Sequence, residues 1–147
     1  MWIVLIVRQV AANMTKSSED GCWIIGNVLQ FDPRTSQYLV QDEDDPNRVV
    51  ALPPEFVRRL EDTAEHLRRG DEVMAVFPET TSFYRAVLAK NPKPPLNSNT
   101  QWEVVVRFED DEDENGNVPP RRVPARFVLR RNLIESDGDD MDTEDDD

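Results

Sequence analysis

The sequence predicts an all-β protein made of two small antiparallel barrels that are joined by a short helical connector. Short apolar runs rich in Val, Ile and aromatic residues alternate with turn segments, which is the pattern of strands in a small barrel. This order of strands and turns occurs twice, on either side of a segment with helical spacing. Because each unit is too small to be very stable alone, we expect the two barrels to pack face to face.

The first unit spans residues 8–52. After an initial strand-forming stretch it contains three further runs that are typical of strands, at 22–31, 37–40 and 48–52. The segments between these runs contain Asp, Pro, Asn and Ser, which favour turns. Gly26 interrupts the longest run, and this position predicts either a bulge or a close approach between two backbones.

Residues 53–70 form the predicted connector. Pro54 suits the first turn of a helix, and Gly70 is typical of a helix end. Between them, four apolar residues recur at helical spacing, namely Phe56, Leu60, Ala64 and Leu67. We therefore expect one helix between the two units.

The second unit spans residues 71–131, with predicted strands at 71–77, 83–90, 101–108 and 123–130. Its first turn lies in the stretch Phe77-Pro-Glu-Thr-Thr-Ser-Phe-Tyr84, which has three aromatic residues among eight. The proline forces Phe77 into an extended conformation. We expect Thr80 and Thr81 to stabilise this corner through hydrogen bonds from side chain to backbone.

The charge of the chain is concentrated at its C-terminus. The formal net charge is −13, and nine of the acidic residues fall within the last thirteen residues. Such a run cannot bury enough apolar surface to fold, so we predict a disordered acidic tail at 132–147. Because affinity for nucleic acid comes largely from Lys and Arg, the acidic balance excludes direct nucleic-acid binding and favours basic protein partners.

Several other classes of protein are excluded by the residue inventory. One Cys and one His leave no disulfide framework and no metal cluster of the usual ligand types. No motif supplies a nucleophile with its base, a phosphate-binding loop or a cofactor site, so we predict a non-enzymatic protein without cofactor or metal. The apolar run at 1–7 is far shorter than the roughly 20 residues that a membrane span needs, and no membrane partner is expected.

Aromatic residues at strand ends beside carboxylates provide a site for an organic cation. Phe77 and Tyr84 flank one turn, and Phe108 ends the next strand, where six acidic residues follow at 109–114. A ring face attracts a methylated ammonium through its quadrupole. From the spacing alone, the alternative that these rings only pack against the core stays open.

Several stretches carry a resemblance to a known family. The stretches AVFPETTSFYRAVL, VVVRFED and PPRRVPARFVL resemble the second Tudor repeat of the SAGA-associated factor 29 family. The stretches RQVAAN, CWIIGNVLQF and QYLVQDEDD resemble its first repeat, in the same order. The resemblance covers about residues 8–131 and implies two SH3-like Tudor barrels. It also implies a nuclear chromatin reader that recruits a SAGA-type histone acetyltransferase complex to histone H3 di- or trimethylated on its fourth-position lysine.

The resemblance also implies roles for individual residues. In the family, an aromatic cage in the second repeat holds the methylammonium, and the matching positions here are Phe77, Tyr84 and Phe108, with Asp110 beside them. Phe77 departs from the tyrosine that is usual at its position: the ring face is kept, but a hydroxyl is lost.

A second pocket is implied in the first repeat, where acidic residues hold the free N-terminus of the histone. The matching residues are Asp42 and Asp44, and we expect their carboxylates to point to the same side of an extended segment. Two other functions remain open on the sequence: an acidic histone-binding scaffold or chaperone without methyl specificity, and a Tudor module that binds methylarginine.

Overall fold

The computed structural model of the chain describes residues 3–19, 22–60, 64–97 and 101–131, with side chains from Arg8 onward. Within these ranges it contains two five-stranded antiparallel sheets and only short 3-10 helices, so the predicted all-β class is confirmed. No helix in the described ranges is both long and apolar enough to cross a membrane. The predicted tail at 132–147 lies outside the described residues.

The first sheet contains five strands in the order β4-β3-β2-β1-β5. These strands are β1 (Ile3–Asn13), β2 (Trp23–Asp32), β3 (Gln37–Asp42), β4 (Val49–Leu52) and β5 (Val57–Arg59). A 3-10 helix at Pro54–Phe56 lies between the last two, which are the opposite edges of the sheet. The chain therefore crosses from one edge to the other at this helix, as it does in a small, nearly closed barrel.

The second sheet repeats this topology, in the order β10-β6-β7-β8-β9. Its strands are β6 (Glu72–Val76), β7 (Phe83–Leu88), β8 (Glu103–Phe108), β9 (Arg121–Pro124) and β10 (Val128–Arg130). A 3-10 helix at Ala125–Phe127 again separates two edge strands. The prediction of one strand over 123–130 was therefore wrong, because this helix divides it into strands that pair with β8 and β6.

The prediction of one helix in the connector is also wrong for the residues that the structure describes. The segment instead contains the 3-10 helix at Pro54–Phe56, strand β5 and a second 3-10 helix at Ala64–His66, and β5 pairs with β1. The apolar residues that suggested one helix face pack in three places: Phe56 in the first barrel, Leu60 between the barrels, and Ala64 and Leu67 in the second barrel. Helical spacing here therefore reflects an irregular segment that contributes to three cores.

The division into 8–52, 53–70 and 71–131 remains a proposal, in which strand β5 of the connector completes the first sheet. The two barrels pack directly against each other. One buried cluster combines residues of the first sheet with residues of the second, namely Ala11, Trp23, Ile25, Met74, Val76, Phe83 and Leu129. This shared cluster agrees with the expected packing of the two units.

Gly26 lies at a close approach between strands. A Cβ atom at this position would come within 2.7 Å of Val40 Cγ1 and 3.2 Å of the Gln41 carbonyl oxygen. The register shift in the pairing of β2 with β3 lies farther along, between Val28 and Gln30. Of the two interpretations of this glycine, the close approach is therefore confirmed.

Candidate functional site

The corner between β6 and β7 is a tight hairpin built around Thr80. The backbone N–H and the hydroxyl of Thr80 donate to the Phe77 carbonyl at 3.1 and 2.8 Å. The Thr80 hydroxyl oxygen in turn accepts from the Ser82 N–H at 3.2 Å, and the Phe77 N–H donates to the Ser82 carbonyl at 3.1 Å. The predicted role of Thr80 is thus confirmed, and the hairpin fixes the backbone that carries Phe77.

The three predicted aromatic residues come together beside this hairpin. The Phe77 ring centroid lies 6.4 Å from that of Tyr84, with an interplanar angle of 87°, and 4.9 Å from that of Phe108, with an angle of 63°. Tyr84 is 37% exposed, whereas Phe108 is only 2% exposed. The rings therefore meet edge to face at the surface, with Phe108 at the base of the group.

The strand pattern explains why Tyr84 and Phe108 meet. Every second side chain of a strand points to the same face. Tyr84 therefore shares a face of β7 with the buried Ala86 and Leu88, and Phe108 shares a face of β8 with the buried Val104 and Val106. Phe108 pairs with Ala86, two residues beyond Tyr84. Tyr84 and Phe108 consequently lie at the same open end of the second barrel.

Two further residues belong to this group, Arg121 and Asp111. The guanidinium carbon of Arg121 lies over the Phe77 ring, 5.3 Å from its centroid. Arg121 Nε donates to Asp111 Oδ2 at 2.8 Å and its Nη2 donates to Asp111 Oδ1 at 3.1 Å, which makes a bidentate ion pair. A cation thus already lies on a ring of the candidate site.

The ion pair keeps both of its members, Asp111 and Arg121, in their charged forms beside the rings. Hydrogen bonding from Arg121 lowers the pKa of the Asp111 carboxyl below its ordinary value of 3.8, although partial desolvation acts in the opposite direction. The same hydrogen bond raises the pKa of the Arg121 guanidinium. Asp111 is therefore ionised at neutral pH, and the pair as a whole carries no net charge.

Sequence reasoning missed this pair and selected the neighbouring Asp110, which is exposed. The predicted strand began at residue 123, whereas β9 begins at Arg121 and pairs that residue with Val106. The available signal was the two-residue spacing between Arg121 and the buried Val123, which places both side chains on the same face of a strand. The assignment of Asp110 to the site stays a prediction.

The acidic turn of the first barrel is organised by Asp42. Its carboxylate is buried and accepts the Asp44 N–H at 2.8 Å and the Arg48 guanidinium at 3.3 Å. Strand β3 ends at Asp42, and the chain then bends at residues 43 and 44. The prediction that one extended segment carries both carboxylates is therefore wrong. Asp44 is exposed, and a role for either residue in binding an N-terminus stays a prediction.

Strand β2 connects the acidic turn to the aromatic hairpin through Ile25. The Ile25 N–H donates to the Thr81 carbonyl at 2.8 Å, and the Glu43 N–H donates to the Ile25 carbonyl at 3.1 Å. Because hydrogen-bonded backbones lie about 5 Å apart, Glu43 and Thr81 are separated by about 10 Å at most. Both candidate pockets therefore lie on neighbouring loops.

Comparison with known proteins identifies relatives of the chain. The family described as the SGF29 tudor-like domain matches residues 7–132. The protein named SAGA-associated factor 29 homolog B from Arabidopsis thaliana is 33% identical over 135 residues, which are 83% of this chain and 48% of that protein. The protein named SAGA-associated factor 29kDa from Drosophila melanogaster is 30% identical over 139 residues, which are 87% of this chain and 46% of that protein. The chain thus spans about half the length of these relatives.

Proposed function

The chain belongs to the family of the SGF29 tudor-like domain, and from this premise we propose that it is a nuclear chromatin reader of a SAGA-type histone acetyltransferase complex. The proposed ligand is the N-terminal tail of histone H3, di- or trimethylated on its fourth-position lysine. In this role the protein binds the tail and recruits the complex, and it performs no catalysis. The names of its relatives support the link to the complex.

The observation that carries this proposal is the meeting of three rings at the open end of the second barrel. The Phe77 ring contacts the other two edge to face, with its centroid 6.4 Å from that of Tyr84 and 4.9 Å from that of Phe108. A methylated ammonium keeps its positive charge but is poorly hydrated. It therefore gives up little hydration free energy when it moves from water to a site lined by ring faces. Each good contact contributes about 0.5 to 2 kcal/mol.

The proximity of the acidic turn supports recognition of a free N-terminus by the same ligand. A peptide α-amino group titrates near pH 8 and is mostly cationic at pH 7. Exposed Asp44 provides a carboxylate for this group, while buried Asp42 holds the turn in shape. In an extended peptide the first and fourth residues lie about 10 Å apart, a length that can bridge two loops whose Glu43 and Thr81 are separated by about 10 Å at most.

Calorimetric titration with three histone H3 peptides tests the proposal. They are an unmodified N-terminal peptide, the same peptide trimethylated at its fourth residue, and the trimethylated peptide with an acetylated N-terminus. We expect tighter binding on methylation and a loss of binding on acetylation, at physiological salt. If all three peptides bind equally and their binding weakens steeply with salt, the chromatin-reader hypothesis is rejected in favour of an acidic histone-binding scaffold.

A fourth titration separates the two methylated cations. A peptide with a methylated arginine and no free N-terminus should bind weakly, because it cannot use the acidic turn. Stronger binding of this peptide than of the trimethylated histone tail would instead assign the chain to the methylarginine readers.

A further inference from the structure

Arg121 lies over the Phe77 ring, one of the three rings that the proposed ligand would contact. Its guanidinium carbon is 5.3 Å from the Phe77 centroid, within the range of a cation–π contact. We propose that Arg121 is an internal competitor, which covers the Phe77 ring in the free protein and which a methylated ligand must displace. This inference rests on the proposed function for the identity of the natural ligand, while the displacement itself can be tested with a simple cation.

Strand register places Arg121 at the same open end as the rings. Arg121 pairs with Val106 on β8, and Phe108 follows Val106 by two residues, so Arg121 and Phe108 project from the same face of the sheet. Phe77 touches both of them. The guanidinium occupies the space over this face of the Phe77 ring, so a ligand cation that takes the same position must displace it.

Asp111 allows Arg121 to leave the ring without becoming an isolated charge. The Asp111 side chain is 16% exposed and that of Arg121 is 38% exposed, so the carboxylate is the more firmly enclosed partner. An arginine side chain has several rotatable bonds, and a guanidinium that moves off Phe77 can keep its hydrogen bonds to Asp111. The ion pair therefore stays neutral while the ring becomes available to the ligand.

The cost of displacement is the same for every ligand that needs the ring. Removing Arg121 should therefore raise the affinity for methylated and unmethylated ligands by the same factor and leave the ratio between them unchanged. A cation–π contact of ordinary strength corresponds to a factor of about two- to thirty-fold. Arg121 would thus set the affinity of the site but not its preference for methylation.

The matched test compares Arg121→Leu with Arg122→Leu. Arg122 is the next residue on β9 and is exposed, so its side chain projects from the opposite face of the strand, and both variants remove one positive charge. The probe is tetramethylammonium chloride, titrated into the full chain and followed by NMR. We expect tighter binding to Arg121→Leu and unchanged binding to Arg122→Leu. Equal effects of both changes would mean that only long-range charge matters, which overturns the inference.

A second measurement uses the unaltered protein, so it does not depend on how the variants fold. In the free protein, the Arg121 Nε–H signal should be displaced by the Phe77 ring current, and it should move in step with saturation by tetramethylammonium. An Arg121 signal that stays constant while the probe binds would overturn the inference, and so would a probe that binds neither the unaltered protein nor Arg121→Leu. Displacement by tetramethylammonium without binding of the methylated histone peptide would retain the inference and reject the proposed function.

Discussion

The backbone N–H of Ile25 in the first barrel donates to the carbonyl of Thr81 in the second at 2.8 Å. Next to this hydrogen bond, Ile24 and Ser82 form an isolated antiparallel bridge. The hairpin that carries Phe77 and Tyr84 is thereby attached to a strand of the other barrel. A ligand that contacts both loops consequently meets a surface whose two halves are held in register by the protein itself.

This attachment predicts that the two barrels unfold together. Phe83 is fully buried in the cluster between them, so Phe83→Ala should lower the free energy of unfolding by about 3 to 5 kcal/mol. Urea denaturation is followed by fluorescence in two variants, which keep only Trp23 or only Trp102 of the three tryptophans. Both should give coincident transitions, shifted to lower urea by Phe83→Ala. Leu96→Ala is the control, because exposed Leu96 should contribute less than about 0.5 kcal/mol. Separate transitions for the two tryptophans would contradict the shared core.

The acidic turn yields a prediction that separates structure from binding. Asp42→Ala removes the acceptor of two hydrogen bonds and should destabilise the fold by about 1 to 3 kcal/mol. Asp44→Ala changes an exposed side chain, so stability should hold while binding of the trimethylated histone peptide weakens. Thermal denaturation and calorimetry distinguish these effects.

Exposed Glu55 supplies the control for Asp44, because Glu55→Ala removes the same charge elsewhere on the surface. If Asp44→Ala and Glu55→Ala weaken binding equally, the acidic turn holds no specific N-terminal pocket. Acetylating the peptide N-terminus should also abolish the difference between Asp44→Ala and the unaltered protein.

The parts of the structure that could be predicted from the sequence are those set by local signals. The hairpin from Phe77 to Tyr84 has its proline and its Thr80 in a single stretch, and Phe108 ends a strand with clear alternation. The family resemblance then identified the three rings as one group. Their meeting in space follows from the pairing of β7 with β8, which adjacent strands in a barrel commonly adopt.

The parts that could not be predicted depend on contacts between distant segments. The contact of Arg121 with Asp111 and Phe77 depends on the register of β9 against β8. The predicted strand began two residues too late, at residue 123, and therefore did not include Arg121. Similarly, the helical spacing of the connector gave no sign that Val57 would pair with Ala12 of β1. In both cases tertiary pairing overrode the local pattern.

The aromatic site predicts a sharp difference between two changes at Tyr84. Tyr84→Ala removes one ring face and should weaken binding of the trimethylated peptide by about two- to thirty-fold. Tyr84→Phe keeps the ring and should retain most of the affinity. Because Tyr84 is 37% exposed, we expect both variants to fold normally in thermal denaturation. Unchanged binding by Tyr84→Ala would show that this ring is only a packing residue.

The ion pair beside the rings predicts an unusual titration of Asp111. Arg121 lowers the pKa of this carboxyl below its ordinary value of 3.8, so the pair stabilises the folded state above that pH. The stabilisation is lost as the pH falls through the lowered pKa, where Asp111 becomes protonated. Carboxyl carbon NMR should therefore place the midpoint of Asp111 below 3.8 in the unaltered protein.

Removing the partner should reverse this effect. In Arg121→Leu we expect the pKa of Asp111 to rise, because the carboxylate loses a bidentate donor and a positive charge while its partial desolvation remains. In Arg122→Leu the pKa should stay low, since Arg122 lies on the opposite face of β9. The free energy of unfolding should then decrease more between pH 7 and pH 3 in the unaltered protein than in Arg121→Leu. Equal decreases in both proteins would mean that the pair is absent in solution, and Arg121 would then have no fixed position over Phe77.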